Sequence, residues 1–201
     1  MNKKVIIGIV CAVVLVAAIV IGIFVFGGEK LQEVTLSVDI DFGGETQIAS
    51  ANVGYPQNTG IELQEGRSKS DKVFKNKDKN YKLEVSIVDE LESRYDENKE
   101  ADKKDEGYQE VTFNGYNGYI LKGEYRVEGK LLLDNDESNI NKVFEFTVEP
   151  IESYQNDDFV NPEPLYNLKE VRTILKSVKY NGTITVDNMN DTDDVANTTE
   201  E

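Results

Sequence analysis

The sequence predicts an α+β fold: an N-terminal transmembrane helix, then one domain with a twisted, mainly antiparallel sheet and two packed helices. Three observations predict it. Val5–Phe26 is a long run without charge or proline. Val34–Phe42 and Tyr81–Val88 alternate apolar and polar residues with the period of half-buried strands. Leu168, Val171, Ile174, Leu175 and Val178 recur at the spacing of a helix with one apolar face.

At about 1.5 Å per residue, a helix over residues 5–26 crosses a hydrocarbon core of roughly 30 Å. A cleavable signal peptide has a shorter apolar core and a small-x-small cleavage site. Here Phe24, Val25 and Phe26 run directly into Gly27-Gly28-Glu29-Lys30. Cys11 follows Val10 inside the apolar run, which argues against a lipid-modified cysteine. Residues 5–26 therefore read as a retained anchor. Lys3 and Lys4 precede the helix and keep the N-terminus cytoplasmic. The expected protein is single-pass in the cell membrane, with its C-terminal domain extracellular. Its expected parts are a cytoplasmic 1–4, a linker at 27–33, the domain at 34–186 and a disordered acidic tail at 187–201. The small pairs Gly8/Ala12 and Ala18/Gly22 would allow a weak dimer through the anchor.

The chain carries 38 acidic against 22 basic residues, a formal charge of −16. Lys3 and Lys4 are its only charges before Glu29, so the remainder is two charges more negative still. Such a surface repels phosphate polymers, and nucleic acid is not an expected partner. There is no His and no Trp, and Cys11 is the single cysteine. Ser-His-Asp and Cys-His nucleophile systems and His-based zinc sites are thereby excluded. The exported part has no disulfide, though its compartment would permit one. Frequent Lys, Asn, Ile and Glu read as an AT-rich, Gram-positive source.

After the linker, Val34, Leu36, Val38, Ile40 and Phe42 take one side of a first strand. Gly43-Gly44 turns the chain into a second strand at Gln47–Tyr55. Pro56–Gly60 is turn chemistry, and Ile61–Leu63 resumes a strand. Residues 67–82 invert the local charge with seven Lys or Arg. They read either as a patch for anionic lipid or wall polymer, or as a hairpin whose lysine-rich turn is Asn76–Asn80. Tyr81–Val88 is the next strand. Asp89 is a candidate cap for a short charged helix, with Glu90/Arg94 and Glu100/Lys104 as i,i+4 pairs and only Leu91 and Tyr95 fit to face a core. Tyr108–Tyr125 is a hairpin. A type I′ turn at Asn114-Gly115 places Phe113 opposite Tyr116 and Val111 opposite Gly118. Leu131-Leu132-Leu133 and Val143–Val148 suggest strands covered on both sides. Residues 150–166, with three prolines, read as an irregular crossing. Asn167 then caps a helix over Leu168–Lys179, Asn181-Gly182 ends it, and Thr183–Val186 is a last strand.

Three stretches in this order, YPQNTGI at 55–61, EVTFNGYNGYI at 110–120 and EVRTILKSVKYNG at 170–182, resemble the PsbP-like family of α/β sandwiches. The resemblance covers roughly 34–186. It implies a twisted antiparallel sheet with packed helices, membrane-anchored bacterial members, and adaptor or assembly roles. None of the shared motifs is catalytic, so it assigns no functional residue.

Candidate chemistry is thin. Asp134, Asp136, Ser138 and Glu145 match positions 1, 3, 5 and 12 of a calcium loop, but position 6 is Asn139 where the sharp turn requires Gly. Asp191, Asp193 and Asp194 offer only loose cation attraction. Carboxylate pairs suit a wall-directed glycosidase, yet no segment joins them to clustered aromatics. Ser68, Ser70 and Ser177 lack the S-x-x-K spacing. Tyr116, Tyr119 and Tyr125 form either a binding surface or a cover for the sheet. The reading is a non-catalytic binding or assembly module at the cell envelope, with an envelope protein as partner. It expects no catalytic, metal or cofactor residues and no cofactor. The alternatives are a carboxylate-based cell-wall hydrolase and a weak divalent-cation-responsive sensor.

Overall fold

The computed structural model describes residues 25–26, 29–42, 45–135, 140–155 and 158–187. The chain opens with strands β1 (Val25–Phe26), β2 (Glu29–Phe42), β3 (Glu45–Pro56), β4 (Glu62–Glu65), β5 (Asp71–Asn76) and β6 (Tyr81–Leu91). Helix α1 (Glu92–Asp102) precedes β7 (Tyr108–Phe113), β8 (Tyr116–Lys122), β9 (Val127–Asn135) and β10 (Ile140–Pro150). The short β11 (Tyr154–Gln155) and β12 (Asp158–Phe159) lead to α2 (Pro162–Tyr166), α3 (Lys169–Lys176) and β13 (Lys179–Asp187).

Two sheets carry the fold. One has the order β1-β2-β3-β13 and the other β4-β5-β6-β10-β9-β8-β7, and every pairing is antiparallel. The architecture is largely β, which corrects the predicted α+β class. The alternating segments extend well past their apolar cores, whereas α1, α2 and α3 have only 11, 5 and 8 residues. Residues 5–24 of the expected transmembrane helix lie outside the described residues. Its expected last two residues, Val25 and Phe26, are a strand paired with Lys30 and Glu29. Among the described residues no helix is long and apolar enough to cross a membrane. The expected linker is also shorter, because β2 already begins at Glu29. Of the predicted tail, only Asp187 is described, and it ends β13.

A single core joins the sheets. Val34, Leu36 and Val38 of β2 stand opposite Val53, Ala51 and Ala49 of β3 and face inward. From the larger sheet come Tyr81, Leu83, Val85 and Ile87 of β6 with Phe144, Phe146 and Val148 of β10. Val171, Ile174 and Leu175 of α3, with Val178 beyond it, close this core as the helical spacing predicted. Each such side chain contributes about 1.5–3 kcal/mol through burial. Beside the helix, the Arg172 guanidinium lies 4.8 Å from the Phe113 ring centre and 4.7 Å from that of Tyr166.

The three consecutive leucines follow their prediction. Leu131 and Leu133 enter the main core, while Leu132 packs on the opposite face against Tyr95, Tyr119 and Val143. A register shift between Lys142 and Val143 leaves Leu133 without an opposite residue. Nearby, Gly129 is a steric requirement, since a Cβ there would stand 2.3 Å from the Phe146 ring.

The Asn114-Gly115 turn is as predicted. Phe113 pairs with Tyr116 and Val111 with Gly118, and both turn residues have positive φ, +49° and +88°. Helix ends were less legible. Asp89 lies in β6, and α1 starts after Leu91 with no side-chain cap. Leu91 is 57% exposed, so Tyr95 alone of the predicted pair is buried. Asn161 caps α2 by accepting from the Glu163 amide at 2.9 Å, and Pro162 suits the first turn. Asn167 ends α2 instead of capping α3. Asn181-Gly182 does not end a helix; it forms a bulge in β13, with Gly182 at φ +98°.

Candidate functional site

The face of the larger sheet turned away from the core carries the most concentrated polar chemistry. The period of two that sends Tyr81, Leu83, Val85 and Ile87 inward sends Val88 and Glu90 outward. Register then lines up Glu145, Lys130, Tyr119 and Glu110 across β10, β9, β8 and β7. Helix α1 lies over this face and buries one residue against it, Tyr95.

Lys130 is the centre of the polar group. Its Nζ donates to Glu90 at 3.0 and 3.1 Å and pairs with Glu145 at 2.9 Å. Asn98 of α1 donates to Glu90 at 2.8 Å and thereby ties the helix to the network. Burial pulls the Lys130 pKa down, but its bonds to Glu145 and Glu90 outweigh that and hold it above its usual value. Glu90 and Glu145 are thus close neighbours with a cation wedged between them. The single Lys130 cation offsets one of the two carboxylate charges and ties β6, β9 and β10 together on this face.

Two clefts flank α1. The smaller, about 150 Å³, is lined by Asp102, Tyr119, Leu121, Lys130, Glu145 and Thr147 among others. The Tyr119 hydroxyl is buried there and makes no hydrogen bond of good geometry. Burial and then the neighbouring Asp102 push its pKa far up. The Tyr95 hydroxyl is pushed up to about 12, by burial and then by Tyr108, Glu90 and Asp96. The larger cleft, about 450 Å³, opens between α1 and the β7–β8 hairpin. Its wall holds the Lys99–Glu110 pair at 3.6 Å and the Thr112 hydroxyl bonded to Asn117 at 2.8 Å.

The remaining predicted residues fall elsewhere. Glu145 belongs to the Lys130 network and Asp134 is exposed, while Asp136, Ser138 and Asn139 lie outside the described residues. Asp191, Asp193, Asp194, Cys11 and the small pairs of residues 8–22 also lie outside them. No group of three metal-ligating side chains occurs among the described residues. The basic segment is the predicted hairpin of β5 and β6. Most of its lysines are already neutralised: Lys69 by Asp39, Lys72 by Glu65, Lys77 by Glu62, Lys79 by Glu170 and Lys82 by Glu84 and Glu149. Ser68 bonds Asp71 and Ser70, and Ser177 clips the end of α3 to Gly54 at 2.7 Å. Of the tyrosines, Tyr119 is covered and Tyr116 half-buried. Only Tyr125 stands out, edge-on to Phe159 at 5.4 Å. Lys130 was missed because its partners lie 40 and 15 residues away, at no characteristic spacing. The one available signal was its alternation with the buried Leu131.

No protein-family model, curated protein or solved structure matches this chain. The likeness to PsbP-like domains rests on the sequence motifs alone.

Proposed function

We propose that this chain displays a non-catalytic binding or assembly module at the outer face of a cell membrane. In this reading its apolar N-terminal stretch holds it there, and the cleft between α1 and the β7–β8 hairpin receives a protein partner. The observation that supports it is the cleft wall. Lys99, Glu110, Thr112 and Asn117 satisfy one another in pairs at an accessible rim, and a partner's polar groups can take over those pairings at small cost. The Glu90–Lys130–Glu145 group, closed on itself beneath the helix, then serves as a rigid floor.

The test is photo-crosslinking of the full chain in its native membrane, with the reactive side chain at Asn117 or, as a control, at exposed Lys176. A partner should be captured from Asn117 and not from Lys176. Lys99→Glu should lower the yield about fivefold, the effect of roughly 1 kcal/mol. Equal capture from both positions overturns the reading. Release of wall sugars by the chain, abolished in Glu145→Gln, replaces it with a carboxylate hydrolase.

A further inference from the structure

β13 is an edge strand, at the opposite side of its sheet from β1, and differs from both edges of the larger sheet. It ends the smaller sheet, and no described strand runs along its outer side. The outer strands of the larger sheet carry charge, Glu62 and Glu65 in β4 and Glu110 in β7. Charges on an edge deter pairing with another chain. In β13 no charge occurs from Tyr180 to Val186, in a chain of −16. Thr183, Ile184, Thr185 and Val186 are all β-branched, the class that best fits a pleated surface. Ile184 and Val186 are 54% and 43% exposed and share one face, beside Ile48.

The start of the same edge is covered. Asn114 Nδ2 donates to the Val178 carbonyl at 2.7 Å, and the Tyr180 amide donates to the Tyr116 hydroxyl at 2.9 Å. The bulge at Asn181 bends the strand just past this covered part. The hairpin tip thus protects residues 178–180, and the regular run from Thr183 onward lies beyond it.

The centre of that run, Thr183-Ile184-Thr185, is palindromic. Read in both directions about Ile184, the sequence Asn-Gly-Thr-Ile-Thr-Val-Asp places Thr183 with Thr185, Gly182 with Val186 and Asn181 with Asp187. An antiparallel pairing of two such strands sets Ile184 against its twin and each Thr against a Thr, which are favourable cross-strand pairs. Gly182 leaves room for Val186. The aspartate position meets an asparagine and not a second acid. For two strongly acidic copies, this uncharged, self-complementary stretch is where contact meets the least repulsion.

We propose that β13 pairs antiparallel with β13 of a second copy about a two-fold axis at Ile184, joining two four-stranded sheets edge to edge. The occupant is a copy of this chain because the strand complements itself in sequence and in charge.

The register gives a direct test in the full chain, in detergent, on a Cys11→Ser background. Residues directly opposite in an antiparallel pair have Cα separations of about 4.5–5.5 Å, within reach of a disulfide. Ile184→Cys should therefore oxidise to a covalent dimer on its own. Thr183→Cys should do so only when mixed with Thr185→Cys. Lys176→Cys, exposed on α3, is the control for random collision, and Ile184→Cys should exceed its rate at least tenfold. Ile184→Lys, at a surface position, should leave the circular dichroism unchanged and abolish the non-covalent dimer seen by light scattering. A chain that stays monomeric at high concentration overturns the proposal. So does an Ile184→Cys rate equal to the control, or faster self-crosslinking of Thr185→Cys.

Discussion

Asp71 shows how a single carboxylate closes a turn. Its Oδ2 accepts from the Arg67 amide at 2.5 Å, and its Oδ1 accepts from the Ser68 amide at 2.7 Å and from the Ser68 hydroxyl. Gly66 is needed beneath it, since a Cβ there would fall 1.9 Å from Oδ2. Burial pushes the Asp71 pKa up, but the bonds from Ser68 and Arg67 outweigh it and hold the carboxyl below its ordinary 3.8. The native state thus binds the proton more weakly than the unfolded chain does. Its stabilisation is fully present above about pH 4 and disappears as pH falls through the depressed native value. Asp71→Asn should cost about 1–3 kcal/mol at pH 7, because two amides lose their anionic acceptor. In urea unfolding, the gap between wild type and variant should narrow below pH 4; a gap independent of pH would refute this account. The turn was not legible in advance, because residues 67–82 were read by their positive charge and Ser68 and Ser70 only for the S-x-x-K spacing they lack. The acceptor that organises it follows the serines and carries no mark of burial.

Among the elements, α1 is the least securely held. Its sequence has no apolar stripe, it lacks an N-terminal side-chain cap, and Tyr95 is its one buried residue. Asn98 to Glu90 and Lys99 to Glu110 supply the other attachments. β10, by contrast, pairs along its length with β6 and β9 and buries side chains on both faces. Amides of residues 95–102 should exchange hydrogen at least a hundredfold faster than those of 143–148, a difference of about 2.7 kcal/mol in opening free energy. Exchange-mass spectrometry of the full chain measures both, and equal protection would show that the helix opens only with the whole domain. The strands and α3 were legible because a period of two or of 3.6 is carried by the residues themselves. The same Asn-Gly dipeptide was read correctly at 114–115 and wrongly at 181–182. It reports a need for positive φ, which a hairpin turn and a bulge share, and the flanking strand partner decides between them. The position of α1 was illegible for another reason. Its contacts are single pairs to Glu90 of β6, Glu110 of β7 and Tyr119 of β8, not a pattern along the helix.

For the whole molecule, charge sets the terms of association. Two copies at −16 each repel over a distance governed by the ionic atmosphere, about 30 Å at 0.01 M salt and about 8 Å at 0.15 M. The β13 contact itself is uncharged from Tyr180 to Val186. Raising the salt concentration should therefore strengthen the dimer, whereas contacts built on ion pairs weaken. Sedimentation at 20 and 500 mM NaCl reads the sign, and weaker association at high salt would point to a charged interface. Strand direction adds a constraint on how such a pair can sit. β2 and β13 both pair antiparallel with β3, so they run the same way. A two-fold axis at Ile184 reverses that direction, and the second copy's β2 begins at the far end of the joined sheet. Where each copy is held by its N-terminal stretch, as proposed above, the two attachment points then stand at opposite poles. The pair either lies flat on one surface or spans the gap between two surfaces that face each other, as a rivet would.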